Sequence, residues 1–304
     1  MTKVTGLGKR EETFGNWIVQ IHEEYRHGRG DLLGSLNYID AAARQRGKDA
    51  IMDGISASLS RPVRTGPNAR RDGGSAFEYR IYENAVGSAA LQMRTDKLSL
   101  DCHGYVNTHI DALNHLAWHG EWYNGQPIDS PDRAGDLFGM AQHGIFTRGV
   151  YVDVAKARRS RYIDEDVPVD GNDIERALAL SGVTFEPGDA LLLDCGRDVY
   201  EAEVGEWGES EIRPGSGVGV AEWVYENNPS LLLWDMMDTI SPYQISNAVH
   251  KAHWALGLVL VDNCSYEWAR PILQQRRQWT GGLALSPLLV RGATGSNVNP
   301  MLIL

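Results

Sequence analysis

Four of the nine histidines in this 304-residue chain fall in one stretch between His103 and His119, within DCHGYVNTHIDALNHLAWHGEWYNG. Read with a two-residue period, His103, Tyr105, Asn107, His109 and Asp111 share one strand face, while Gly104, Val106, Thr108 and Ile110 share the other. Burying such a row of nitrogen and oxygen donors is costly unless something pairs with it. A divalent metal ion is the simplest partner, since it takes neutral imidazoles and a carboxylate together. A helical register is also open, because Asp111, His115 and His119 are spaced i, i+4, i+8. It would turn His109 elsewhere, and Thr108, Ile110 and the preceding YVNT favour a strand. The expectation is therefore a strand through about Ile110, with Asp111 at its end and His115 in the following turn. Cys102 falls on the opposite parity and reads as buried filler.

The segment Thr108 to His115, THIDALNH, resembles the signature H-x-G-T-H-x-D-x-P-x-H of the metal-dependent cyclase-like hydrolases, the group of kynurenine formamidases and isatin hydrolases. His109, Asp111 and His115 match its second histidine, its aspartate and its last histidine. Leu113 stands at the proline position, Asn107 at the glycine, and Tyr105 at the first histidine, with His103 two residues earlier. Further stretches resemble the longer members of the group in family order: GDLLGSLN from Gly30, GIFTRGVYVDV from Gly144, GDALLLDCG from Gly188, and Ala252 to Asn263. The first ligand lies between His103 and Tyr105. His103 shares the required parity and can reach the site over a bulge, whereas a phenol of pKa about 10 is a poor ligand at neutral pH. We therefore expect His103.

The resemblance implies a site of Mn2+ or Zn2+ on His103, His109 and Asp111, with His115 as the proton carrier. Such an ion would polarise a carbonyl and lower the pKa of a water, opening a small amide, lactam or lactone. The kynurenine formamidase pattern also sets a histidine and, twelve residues later, a glutamate around a second metal position; His250 and Asp262 have that separation. Substrate contacts are expected from Tyr105, from Trp118 and Trp122 by stacking, and from Arg64. Two other classes stay open: a metal-dependent cyclase or dehydratase of secondary metabolism, and a metal-bound scaffold without catalysis. A homo-oligomer, dimer or tetramer, is expected.

Elements must position these groups. Residues 1–38 read as an irregular N-terminal arm anchored by Trp17, Ile18, Ile21 and Tyr25. Asp40 can cap a helix through AAARQRGKDAIMDGI, and Ile55 to Leu59 can enter a first strand. RTGPNARRDGGS, from Arg64, is a turn-rich basic loop, either solvated or a cover for the site. Glu78 to Tyr82, Leu98 to Leu100, Val150 to Val154, Ala190 to Leu193, Leu231 to Trp234 and Leu258 to Val261 read as strands. Asn172-Asp173-Ile174-Glu175 opens a helix in the manner of a capping box, Val220 to Asn227 forms another, and Asn247 to Leu256 a third that stops at Gly257. His250 and His253 would share a face of the last.

This irregular alternation predicts a single α/β (α+β) domain over residues 1–304. The resemblance makes it a swivelling β/β/α fold, with a central mixed, barrel-like sheet and outer helices. Composition is ordinary for a globular protein: 42% hydrophobic and 23% charged residues. A net charge of -11 argues against nonspecific nucleic-acid binding, which would require a basic face. An anionic substrate would need a local positive centre, a metal or an arginine. No apolar run has the length of a membrane span, and the start MTKVTGLGKREETFG has no signal-peptide core. The three cysteines form no disulfide framework, so the expected compartment is the cytoplasm. The expected partner is a small molecule, not nucleic acid or membrane.

Overall fold

The computed structural model describes residues 2–63, 78–85, 92–129, 135–209 and 212–304. Its strands are β1 (Ser56–Ser58), β2 (Glu78–Ala85), β3 (Gln92–Ser99), β4 (His109–Asp111), β5 (Glu121–Trp122), β6 (Gln126–Pro127), β7 (Ile145–Asp153), β8 (Ala190–Asp194), β9 (Leu231–Trp234), β10 (Val259–Asp262), β11 (Thr280–Leu285), β12 (Gly295–Asn297) and β13 (Met301–Ile303). Its α-helices are α1 (Thr2–His22), α2 (Ala41–Asp49), α3 (Leu137–Ala141), α4 (Val154–Ala157), α5 (Gly171–Ser181), α6 (Arg197–Glu203), α7 (Val218–Asn227), α8 (Ala248–Leu256) and α9 (Ala269–Arg276).

Nine strands form one mixed, curled half-barrel sheet in the order β1-β13-β11-β7-β8-β9-β10-β4-β12, with helices around it. The centre, β7 to β10, is parallel, and the flanks are antiparallel. Parallel neighbours need crossovers, and α8 is the crossover from β9 to β10. The central strands are apolar on both faces because helices or other layers cover both. Val150, Val152, Leu191, Leu193, Leu232, Trp234 and Leu260 pack with the helical side. Tyr151, Leu192, Leu231, Leu233, Val259 and Val261 pack on the other side with Leu283 and Leu302. Burying a Leu or Val side chain in this way is worth roughly 1.5–3 kcal/mol.

Several expectations need correction. The N-terminal arm is not irregular through residue 38, since α1 is a 21-residue helix. Its glycines lower helix propensity, but Phe14, Ile18 and Ile21 recur on one face and are buried, and α8 packs beside it. Tertiary burial here overrides propensity. The helix after Asp40 stops at Asp49, although Asp40 caps it as expected, accepting from Ala43 N. In α5 the capping box uses Asp170 and Asp173, not Asn172.

The donor row is the largest departure. Only His109–Asp111 is strand, and residues 102–107 form bends instead of extending it. Gly104, at φ +116°, takes a conformation that side chains rarely adopt, which breaks the two-residue period. Cys102 is half-buried and not core filler. Arg64 and the basic loop that follows it lie outside the described residues. Among the described residues no helix is long and apolar enough to cross a membrane.

Candidate metal centre

The centre is assembled at one end of the sheet from β4, β10, α8 and the loop that precedes β4. Cross-strand register sets its base. Asp262, the last residue of β10, pairs with His109 of β4, and Asn297 of β12 pairs with His109 from the other side. His109 Nε2 lies 3.5 Å from Asp111 Oδ1 and 3.8 Å from Asp262 Oδ2. All three side chains are buried.

His103 arrives from the loop and not from the strand. Its Nδ1 is 3.0 Å from Asp111 Oδ1, and its Nε2 is 3.0 Å from Thr294 Oγ1. A Cβ at position 295 would sit 2.7 Å from the His103 ring, so Gly295 leaves the room it occupies. The loop itself is clamped by its carbonyls. Asn263 Nδ2 donates to Gly104 O at 2.7 Å and to Asn107 O at 3.1 Å, and Arg197 Nη2 donates to Tyr105 O at 2.5 Å. Tyr105 turns its ring to Trp207 and lies under the Arg213 guanidinium, 4.0 Å from it.

From the opposite side, α8 presents His250. Its Nε2 is 3.5 Å from Asp262 Oδ2 and 3.9 Å from Asp111 Oδ2. Its Nδ1 donates to Asp238 Oδ2 at 2.5 Å. His253 parts from it: that ring donates from Nδ1 to Leu258 O at 2.6 Å, and its Nε2 is buried without a partner. Asp262 is held by Trp234, whose Nε1 donates to Oδ1 at 2.5 Å. His115 stacks on His103, centroids 3.9 Å apart, with Nε2 4.0 Å from Asp111 Oδ2.

Two donor sets result: His103, His109 and Asp111, and Asp111, His250 and Asp262, each with ligand atoms within 4.8 Å of one another. Asp111 belongs to both, and its Oδ2 is buried with no hydrogen-bond partner. The His109 tautomer favours a cation as well. His109 Nδ1 faces the Asn107 carbonyl at 2.9 Å, so that nitrogen carries the proton and Nε2 is left with its lone pair toward the carboxylates. The donor set thus fits a divalent transition metal.

Charge is concentrated here. Burial opposes ionisation of Asp111, but the hydrogen bond from His103 and the fields of His109, His115 and His250 hold its carboxyl well below the usual range. Burial pushes His115 down to about 4, against the pull of Asp111. Burial opposes charging of His250, but Asp238 and Asp262 outweigh it and raise its pKa well above that of an ordinary histidine, so a metal at Nε2 would displace a proton held there.

A third acidic group, Asp194, Asp198 and Asp235, has its partners already. Arg270 forks onto Asp194 and Asp198 at 2.8–2.9 Å, Tyr151 OH donates to Asp194 at 2.5 Å, and backbone amides of Cys195, Arg197 and Met236 donate to Asp235.

The structure thus brings together His103, His109, Asp111, His115, His250 and Asp262. Trp118 packs edge-on to Trp254 at 5.3 Å and against α1 near Gly15. Trp122 is half-buried in β5. Sequence reasoning missed Asp238, Trp234, Asn263, Arg197 and Thr294. No short-range spacing links them to the histidines, because their partners are 12 to more than 150 residues away.

A family profile described as "Putative cyclase" matches residues 55–239, more than half of the chain. The chain belongs to this cyclase family. Its fold is similar to that of a solved structure titled a novel cyclase, with TM-score 0.78 and 20% identity over 93% of this chain and 99% of the other. It is also similar to isatin hydrolase A from Ralstonia solanacearum, with TM-score 0.56 and 15% identity over 87% and 95% of the two chains. A predicted metal-dependent hydrolase from Bacillus stearothermophilus aligns with TM-score 0.51 and 13% identity over 83% and 99%. No curated protein sequence matches the chain.

Proposed function

We propose that this protein is a metal-dependent hydrolase that opens a small amide, lactam or lactone with water. The observation that carries the reading is Asp111: a buried carboxylate shared by two histidine–carboxylate sets, one oxygen of which has no protein partner. An isolated buried carboxylate oxygen is costly, and a cation offsets that cost. His103, His109 and Asp111 would hold one Mn2+ or Zn2+, and Asp111, His250 and Asp262 would form the second position. Such an ion supplies Lewis acidity toward a carbonyl and lowers the pKa of a water.

The chain's own residues do the rest. His115, with a pKa of about 4, is neutral at pH 7 and can take a proton at Nε2, on the side facing Asp111. Tyr105, whose ring lies under Arg213, is the expected aromatic contact for a planar substrate, with Trp118, Trp122 and Arg64 as the further expected contacts. A homo-oligomer belongs to this reading. It is supported by the hairpin β2–β3, which leaves Tyr79, Ile81 and Leu98 exposed, since a two-stranded hairpin alone is marginal in water.

The family description favours a second reading, in which the same site closes a ring or removes water. One screen separates the two. Chelated and metal-reloaded protein is offered N-formyl aromatic amines, isatin-like lactams and lactones, and products are read by mass. Hydrolysis adds one water to the substrate, and cyclisation or dehydration does not. Turnover that survives complete removal of the metal would sink both readings.

A further inference from the structure

We infer that Asp238 is the positioning residue that makes His250 a nitrogen donor of the second metal position, an inference that rests on the proposed function above. Asp238 is buried, 5% exposed, and its carboxylate performs two tasks at once. Oδ1 accepts from Val249 N at 2.8 Å, while Oδ2 accepts from His250 Nδ1 at 2.5 Å and lies 3.3 Å from His250 N. The first turn of α8 and the ring of its third residue are therefore held by one side chain from another segment.

The consequence is chemical. A carboxylate only accepts, so His250 Nδ1 must carry a proton. In the neutral ring this leaves Nε2 with its lone pair, and that atom is the one facing Asp111 Oδ2 and Asp262 Oδ2. A carboxylate behind a ligating imidazole fixes its tautomer and orientation and raises its basicity. Without Asp238 the ring could turn over or carry its proton on Nε2, which would place a donor where a cation needs a base. Backbone on either side is fixed as well: Thr239 N donates to Ser216 O, and Ser216 N to Met237 O. Asp238 thus approaches α8 from a braced segment.

The test uses Asp238→Asn and Asp238→Ala in the full chain, with Mn2+ and Zn2+ titrated into metal-stripped protein by calorimetry. An amide oxygen can serve the Val249 amide or the His250 ring, while its NH2 opposes the other. Wild type should take two equivalents. D238N should bind the first, on His103, His109 and Asp111, as wild type does, and the second about 10–100-fold more weakly. Its melting temperature should stay near that of wild type, because the cap on α8 can survive; D238A should lose both the cap and the second equivalent. Should D238A fail to fold, D238N alone decides. Wild-type affinity for both ions in D238N would reduce Asp238 to a helix cap and overturn the inference. So would equal weakening of both ions, or a wild type that takes only one. Metal-dependent hydrolysis persisting in any of those cases would leave the proposed function standing, whereas wild type that binds no metal overturns both.

Discussion

His103 and His115 stack face to face, with ring centroids 3.9 Å apart and planes 14° from parallel. One ring comes from the bent loop before β4 and the other from the turn after it, so β4 holds both against Asp111. The two rings meet different neighbours. His103 has both nitrogens engaged, by Asp111 and Thr294, whereas His115 Nε2 stands 4.0 Å off Asp111 Oδ2.

His115→Ala should accordingly keep the bound metal and lose turnover by roughly 10²–10⁴-fold, the usual worth of general acid–base help. Metal content by mass spectrometry and kcat on a verified substrate check this together. Metal loss as large as that of His109→Ala would make His115 a ligand.

The choice of His103 over Tyr105 is open to a paired comparison. His103→Ala and His109→Ala should each remove most of the metal, because a catalytic site has only about three protein ligands. Tyr105→Phe should retain it, since that ring is engaged with Trp207 and Arg213. Full occupancy in H103A would refute the assignment.

Arg197 should matter for stability more than any surface residue. It is 2% exposed, and its guanidinium serves Glu201, Asp235 O, Asn263 Oδ1 and Tyr105 O. Removing one partner of a buried charge network typically costs about 3–5 kcal/mol. Urea unfolding of Arg197→Ala should show a loss of that order, and a loss below about 1 kcal/mol would contradict the clamp.

Acid should weaken the fold partly through Asp173. Its burial opposes ionisation, but Arg158, hydrogen-bonded at Nε and Nη2, and the Asp170 amide hold its pKa below the ordinary value. A carboxyl with a lowered folded-state pKa binds fewer protons folded than unfolded. Its contribution is therefore complete above the unfolded value of about 3.9 and is lost as pH falls through the folded value. The stability gap between wild type and Asp173→Asn should be widest near neutral pH and shrink below about pH 4. A gap that does not change from pH 7 to pH 3 would exclude this linkage.

Much of the fold was legible in the chain. The apolar runs at Ala190–Leu193, Leu231–Trp234 and Leu258–Val261 name the parallel centre of the sheet, because strands covered on both faces need apolar side chains on both. Asp40 and Gly257 mark helix ends by local backbone chemistry, which a few adjacent residues decide. His109 and Asp111 were legible for the same reason, since two residues apart on a strand is a local relation. What tertiary structure alone decided lies at long range. Strand register set Asp262 opposite His109, and the Asn263 and Arg197 clamp bent the loop so that His103, not strand parity, meets Asp111. Packing on α8 turned the N-terminal arm into a helix, and a segment ten residues before α8 supplied Asp238. Periodicity encodes which face a side chain takes within one element; which faces then meet depends on burial and register summed over the whole chain.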